Sequence, residues 1–446
     1  MKREMPCGAD GARRVGVSRR VVLGALALPF GALACTGPIA GCSAVTGSLR
    51  VAVTWSGREL ASFRRVLDVF SDQHGVGTEI VPMGDDIAAA LGERPVGAPD
   101  VIMLPRPGLL RSGVASGSLL PLEFDDDAAP EDWRAVMSVD GRRYGLPFKI
   151  AHKSCVWYRP QALADLGVAV PTTWAEWITL NATLTEEGRT PLALGAADGW
   201  VLTDFFENVL LGVDSAAYRA LTKTGVGWVE DGVQEALRRV GTMWGAPYAL
   251  AGGAVSALAT QLDEAVLDVF ARGEAVMTTG SDFVYSVIAE HGPTAHGQRW
   301  QWDLFPFPRA EPDGPAPLVI GGDVAVVTTR APQAATDLVE WLAGAEAAAI
   351  WAGEGGFLSL RTDLPDNRYR HPRLARLAGE VRDPPDGLFF DLSDQLGARG
   401  SRLWGELQRF LREVEGADAR RVARLAWELG ERMDRPVRGG ARTPAG

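Results

Sequence analysis

The chain has 446 residues, 46% hydrophobic and 23% charged, with a mean hydropathy of +0.00, a balance that suits folded domains and not a collagen, a mucin or a disordered tail. Its length predicts two or three domains, each large enough to bury a core without disulfides or metals. The formal charge of −11, from 45 Lys and Arg against 56 Asp and Glu, argues against a nucleic-acid binder, as does the lack of a sustained basic run beyond the amino terminus.

The first forty residues read as a separate object. Six basic residues (Lys2, Arg3, Arg13, Arg14, Arg19, Arg20) precede an uncharged apolar run from Val21 to Ala34. That run, about 14 residues, falls short of the roughly 20 a membrane span needs, so an export leader is expected and not an anchor. Ser18 to Leu23 resembles a twin-arginine signal with Val22 in place of the usual Phe, and the general export route is the alternative. Ile39-Ala40-Gly41-Cys42 resembles a lipobox, which makes Cys42 the expected lipidation site ahead of the competing Cys35. Cleavage would remove residues 1–41 with charges of +6 and −2, leaving −15. Of four cysteines only Cys155 would then remain free, in the apolar stretch Ser154 to Tyr158, where a small buried hydrophobe is expected. The five His residues form no cluster with metal-ligand spacing.

Beyond a linker at 42–47 the pattern alternates strands and helices. Leu49 to Thr54 reads as a strand, followed by a turn at Trp55-Ser56-Gly57 and a helix presenting Leu60, Phe63, Val66, Leu67 and Phe70 on one face, ending near His74-Gly75. Thr78 to Pro82 is the second strand, Ile87 to Leu91 a helix and Pro99 to Leu104 the third strand, so a parallel sheet is predicted. Ligands meet such sheets at the carboxyl ends of strands, here Trp55, Ser56 and Glu59 in one turn and Arg106 in the next. Gly141 to Lys149 predicts a hairpin leading into one long strand, Ile150 to Tyr158, able to cross between domains. Pro171 to Trp177 opens a helix capped by Thr172 or Thr173, with Trp174 and Trp177 in the core. Gly195 to Trp200 is a Gly-rich turn before a helix at Asp204 to Asn208, and Leu318 to Thr328 has the character of a central strand before a helix at Pro332 to Leu342.

Taken in order, the strand-turn-helix at 51–70, Ala98 to Ile102, Tyr144 to Pro147, Trp157 to Arg159, Pro171 to Trp174, Ala275 to Ser281, Gly321 to Val326, Ala347 to Trp351 and Gly355 to Ser359 resemble the family 1 extracellular solute-binding proteins of ABC sugar importers, over residues 48 to about 415. The resemblance implies an α/β fold of two lobes, of the periplasmic-binding-protein type, with mixed sheets and a hinge of crossing strands. The implied first lobe is 48–150 plus 318–354 and the second 151–317 plus 355–435, with a flexible tail at 436–446. It further implies a carbohydrate ligand closed upon by hinge motion, permease subunits as partners, a membrane reached through the lipid, a monomer, and no cofactor or metal.

Sugar sites pair flat aromatic faces with planar polar groups, because an unpaired buried polar group costs about 1 to 3 kcal/mol. Within the family the turn at 195–200 faces the cleft, which points to Trp200, Asp204 and, less directly, Glu207. Past the first crossing either His152 or Lys153 faces the ligand, since neighbours on a strand point oppositely, and His152 is preferred. After Met277 to Ser281 the family usually has Trp, whereas here Asp282 and Phe283 follow, so Asp282 either meets the ligand or caps a helix. Gly280, Asp323 and Phe357 complete the implied ligand face. An exported sugar hydrolase is the competing class, with Asp125-Asp126-Asp127 and Asp391 with Asp394 as candidate acids, but no nucleophile elbow, phosphate loop or dinucleotide fingerprint stands in a supporting context. A sensory or adhesion receptor on the same fold would share these residues.

Overall fold

The computed structural model describes residues 48–92, 98–124, 130–291, 301–384, 387, 389–396 and 398–436. The expected leader, Cys42 and its linker, the Asp125 to Asp127 run, His296 and residues 437–446 lie outside the described residues. Among the described residues no helix is long and apolar enough to cross a membrane.

Strand β1 (Ser48–Val53) lies between β2 (Gly77–Pro82) and β3 (Val101–Leu104), parallel to both. The helix Gly57–His74 joins β1 to β2 and buries Phe63, Val66, Leu67 and Phe70; it stops at Gly75, whose φ of 68° returns the amide to the Ser71 carbonyl. The short helix expected at 87–91 is a longer 3-10 helix, Gly84–Leu91. The expected hairpin forms earlier than predicted: β4 (Ser138–Val139) and β5 (Arg142–Arg143) turn at Asp140 and Gly141, both with positive φ.

The predicted long strand at 150–158 is two strands. β6 (Leu146–His152) runs antiparallel to Ile320–Ala325 of β11 (Val319–Val327), and after Lys153 and Ser154 the chain enters β7 (Cys155–Tyr158), part of another sheet. Ser154 explains the break, because its hydroxyl accepts the Val319 amide at 2.7 Å and its carbonyl accepts the Phe307 amide at 2.9 Å. Those partners belong to the chain returning the other way. The second sheet orders as β10 (Asp303–Pro306), β7, β9 (Met277–Thr279) and β8 (Leu192–Ala193). The first orders as β12 (Phe389–Phe390), β11, β3, β1 and β2, with β6 also on β11. Two sheets with mixed pairing are therefore joined by backbone passing at 153–154 and again between Pro306 and Val319.

Each sheet carries an aromatic core. Trp55, Phe63, Phe148, Trp351 and Phe357 pack on the first, with the Trp55 and Trp351 rings 4.8 Å apart and nearly perpendicular. Trp177, Phe205, Trp244 and Phe307 pack on the second. The helix Trp174–Glu186 that supplies Trp177 is capped by Thr173 in a capping box with Glu176, and Trp174 and Trp177 are buried as expected.

One irregularity positions the site. On β6, Lys149 pairs with Asp323, but Pro147 pairs with Val324, so Phe148 is an extra residue and the register shifts there. Opposite the shift, a Cβ on Gly322 would stand 2.5 Å from the Lys149 carbonyl oxygen and 3.1 Å from Ile150 Cα. Gly322→Ala is expected to destabilise the protein by about 1 to 3 kcal/mol in urea unfolding, since backbone must shift to admit the methyl. Gly405→Ala is the control: nothing lies within 4 Å of a Cβ there, and gaining helix propensity should stabilise by about 0.5 to 1 kcal/mol. Equal effects of the two changes would contradict the register argument.

Candidate functional site

The crossing strand places two lysines four residues apart, Lys149 and Lys153. Lys149 Nζ lies 2.9 Å from Glu59 Oε1 and 3.7 Å from Asp323 Oδ2, with its side chain 4% exposed. The Trp55 indole donates to the same Asp323 oxygen at 3.3 Å. Above the ammonium lies the Phe283 ring, 4.9 Å from Nζ, with Trp351 at 5.9 Å. Lys153 Nζ lies 3.0 Å from Asp204 Oδ1, also pairs with Asp391 Oδ2, and stands 5.8 Å from the Trp200 ring. The Trp200 and Phe283 rings are 6.1 Å apart. The result is one continuous row: carboxylates, Lys149, Phe283, Trp200, Lys153, carboxylates.

Burial sets the protonation of this row. Asp204 and Asp323 are each pushed up to about 7 by desolvation, against the pull of Lys153 and Lys149 respectively, and Asp282 is pushed up to about 6 by the same cause against Lys149. Glu207 and Asp394 are also raised, by burial and by the neighbouring Asp391 charge. Asp391 moves the other way: burial opposes its charge, but Lys153 and the Ser393 hydroxyl hold it below the ordinary range. Burial likewise works against the charge on both lysines, and their carboxylate partners outweigh it and raise their pKa values. Each ammonium therefore keeps its charge while most surrounding acids share protons.

Several acceptors here have no hydrogen-bond partner among the described residues: Asp204 Oδ2, Asn208 Oδ1, Thr279 Oγ1 and Asp282 Oδ2, all buried. Lys153, Asp204, Asn208, Thr279 and Gly280 lie together against the apolar residues Val201, Phe205 and Phe307, around a space too narrow to admit a water molecule. Aromatic faces, two ammonium donors and unpaired acceptors in one place are the chemistry a polyhydroxylated ligand requires.

The residues singled out from sequence sort as follows. Trp200 is partly exposed and is the first residue of the helix Trp200–Val213, not the residue before a later helix; Asp204 and Glu207 follow on that helix. Trp55, 5% exposed, lies in the aromatic core with only its indole edge reaching the row through Asp323. Phe357 is fully buried against Trp351, with centroids 5.4 Å apart. The His152 ring turns away, its Nδ1 3.3 Å from Cys155 Sγ and its Nε2 3.1 Å from Glu380 Oε2, so Lys153 is the neighbour that faces the row. Asp282 caps no helix with its side chain; its Oδ1 accepts the His152 amide at 2.9 Å and ties its turn to the crossing. Gly280 accepts the Trp157 indole through its carbonyl at 3.0 Å. Ser56 is exposed at the start of its helix, and Arg106 stacks its guanidinium 5.4 Å from the Trp404 ring.

Sequence reasoning missed Lys149 and set Lys153 second to His152. The signal was available, because only four of the 45 basic residues are Lys (Lys2, Lys149, Lys153, Lys223), and two of the four flank the crossing at even spacing, where extended backbone puts them on one face.

The raised carboxyls give stability a definite pH slope. Between about pH 4 and 7 the folded protein holds protons on Asp204, Asp323 and Asp282 that the unfolded chain has already released, so their contribution is full below pH 4 and declines as pH rises to 7. Asp323→Asn, which keeps an acceptor for Trp55, is expected to flatten the fall of unfolding free energy between pH 5 and 7, by at most roughly 1.4 kcal/mol per pH unit. An unchanged slope would contradict the protonation assigned to this row.

Comparison with known proteins adds to this geometry. The sequence matches the family described as bacterial extracellular solute-binding protein over residues 82–349. It is 28% identical over 388 residues, 83% of this chain and 90% of the other, to the osmoprotective compounds-binding protein GgtB of Synechocystis sp.. It is 26% identical over 395 residues, 84% of this chain and 85% of the other, to the alpha-glucosides-binding periplasmic protein AglE of Rhizobium meliloti. Among solved structures, maltose-bound MalE3 of T. maritima aligns with a TM-score of 0.66 at 18% identity, covering 86% of this chain and 98% of that one. RafE in complex with raffinose aligns at 0.68 and 16% identity, covering 87% and 100%. At such identity these structures speak for the fold alone, which is that of two-lobed sugar-binding proteins. With more than half of its length matched, and with two sheets joined by crossing strands, this chain belongs to the bacterial extracellular solute-binding protein family.

Proposed function

We propose that this protein is the substrate-binding lipoprotein of an ABC importer, capturing a carbohydrate between its two lobes and delivering it to a membrane permease. The observation that carries the reading is the row of aromatic faces and buried ion pairs at the crossing, with unpaired acceptors beside it. A pyranose stacks on Trp200 and Phe283, its hydroxyls hydrogen-bond with Asp204 Oδ2 and Asn208 Oδ1, and the lysine ammonium groups donate to its oxygens. The two relatives matched over more than four-fifths of the chain are named as binders of osmoprotective compounds and alpha-glucosides, which favours an α-linked glucoside or a similar small polyhydroxylated solute.

In this reading the first lobe is 48–150 plus 318–354 and the second 151–317 plus 355–435, the chain acts as a monomer, and Cys42 carries the lipid that holds it at the outer face of the cell membrane. Cys42→Ala is then expected to abolish lipid detectable by mass spectrometry and to release the protein from the membrane fraction; full retention without lipid on the wild type would refute the anchor.

The ligand face is tested on one pair of variants. A panel of maltose, trehalose, sucrose and raffinose is expected to contain a sugar that raises the melting temperature and is recovered chemically unchanged. Trp200→Ala should weaken its binding by about 2 kcal/mol or more, near thirtyfold, with little loss of melting temperature. Trp177→Ala should do the reverse, costing about 3 to 5 kcal/mol of stability because Trp177 is fully buried. A Trp200→Ala protein with intact affinity and a collapsed melting temperature would make Trp200 a core residue.

A further inference from the structure

The turn that carries Phe283 over Lys149 is held from two sides. The turn 280–286 is fastened on one side to the first crossing, where Asp282 accepts the His152 amide at 2.9 Å and the Gly280 amide reaches the Cys155 carbonyl at 3.2 Å. On its other side lies the segment after Trp351, with Gly355 and Gly356 at φ of 93° and 67°. A methyl on Gly356 would overlap Ser286 Oγ and stand 3.2 Å from Ser286 Cβ and 3.6 Å from Phe283 Cα; one on Gly355 would overlap the Tyr285 ring. Only hydrogen fits between this backbone and the turn, and both φ values belong to the region glycine favours.

The segment cannot retreat from the turn. Gly355 donates to the Trp351 carbonyl at 3.1 Å, Phe357 stacks on Trp351, and the Leu358 carbonyl accepts the Ile150 amide at 3.0 Å, one residue from Lys149. The same Trp351 lies 5.9 Å from Lys149 Nζ. Lys149 thus sits between a ring that precedes the glycines and a ring on the turn the glycines admit.

We infer that Gly355 and Gly356 are positioning residues for ligand recognition: by admitting the 283–286 turn to backbone contact they set the height of the Phe283 ring over Lys149, and so the spacing of the aromatic row. This rests on the proposed ligand face, but the spacing itself is measurable without any ligand.

The chain has four lysines, so [ε-13C]lysine labelling gives at most four signals, with Lys2→Arg and Lys223→Arg identifying two of them. Lys149 Nζ lies 4.9 Å from the Phe283 ring centroid, and ring current is expected to displace the signal of the adjoining ε-methylene upfield; Phe283→Leu, which removes the ring, marks how much. Gly356→Ala is expected to move the Lys149 signal downfield toward that of Lys223, and Ser286→Gly in the same chain to return it by clearing the atoms the methyl meets. With maltose or trehalose as probe, affinity should fall about three- to tenfold in Gly356→Ala and recover in the double variant. Should Gly356→Ala not fold, Ser286→Thr adds bulk to the same contact from the other side and is read the same way. A Lys149 signal that stays in place in a folded variant, or that moves and is not restored by Ser286→Gly, overturns the inference. If the signal moves and returns while no sugar binds to any form, the positioning stands and the ligand reading falls.

Discussion

Two ammonium groups buried beside one chain crossing dictate much of what surrounds them. Taking a lysine charge out of water costs several kcal/mol after relaxation, and the cost is met only by close carboxylates and well-placed dipoles. Lys149 has Glu59 from the first helix, Asp323 across the register shift and two aromatic faces; Lys153 has Asp204 from the Trp200–Val213 helix and Asp391 from the carboxyl-terminal part of the chain. Each lysine therefore gathers segments far apart in sequence. Loss of one partner would leave an uncompensated charge, so the arrangement is held as a unit.

The excess of acids is resolved by protons. Around Lys153 stand four buried carboxyls, and only Asp391, fixed by Lys153, Ser393 and the Asp394 amide, is held below its ordinary pKa. Glu207 is raised and accepts the Tyr218 hydroxyl at 2.9 Å and the Leu392 amide at 2.6 Å, so it acts as a hydrogen-bond hub. The free oxygens that remain, on Asp204, Asn208, Thr279 and Asp282, are those a ligand's hydroxyls would satisfy.

Much of the fold was legible because local signals agreed. The period of Phe63, Val66, Leu67 and Phe70, the Gly75 stop, the capping box at Thr173 and the buried, β-branched β11 all point one way in sequence and in space. The break at Lys153-Ser154 was not legible, since the residues around it keep strand character and the cause is a hydroxyl bonded to Val319, 165 positions away. The candidate site was half legible. Trp200 and Asp204 announce themselves beside a Gly-rich turn, but Trp55 and Phe357 resemble ligand aromatics in sequence and are consumed by the core. The choice between His152 and Lys153, neighbours on extended backbone, is set by Glu380 and Cys155 on one face and Trp200 on the other, which no local pattern contains.

The central claim is that the row from Lys149 to Lys153 is the ligand face. A crystal structure of the protein with the sugar that most raises its melting temperature tests it most directly. The expected result is one pyranose ring against Trp200 and Phe283, with hydroxyls on Asp204 Oδ2 and Asn208 Oδ1 and the lysine pairs in place. A sugar bound elsewhere, with those oxygens still unpaired and the row untouched, would contradict it.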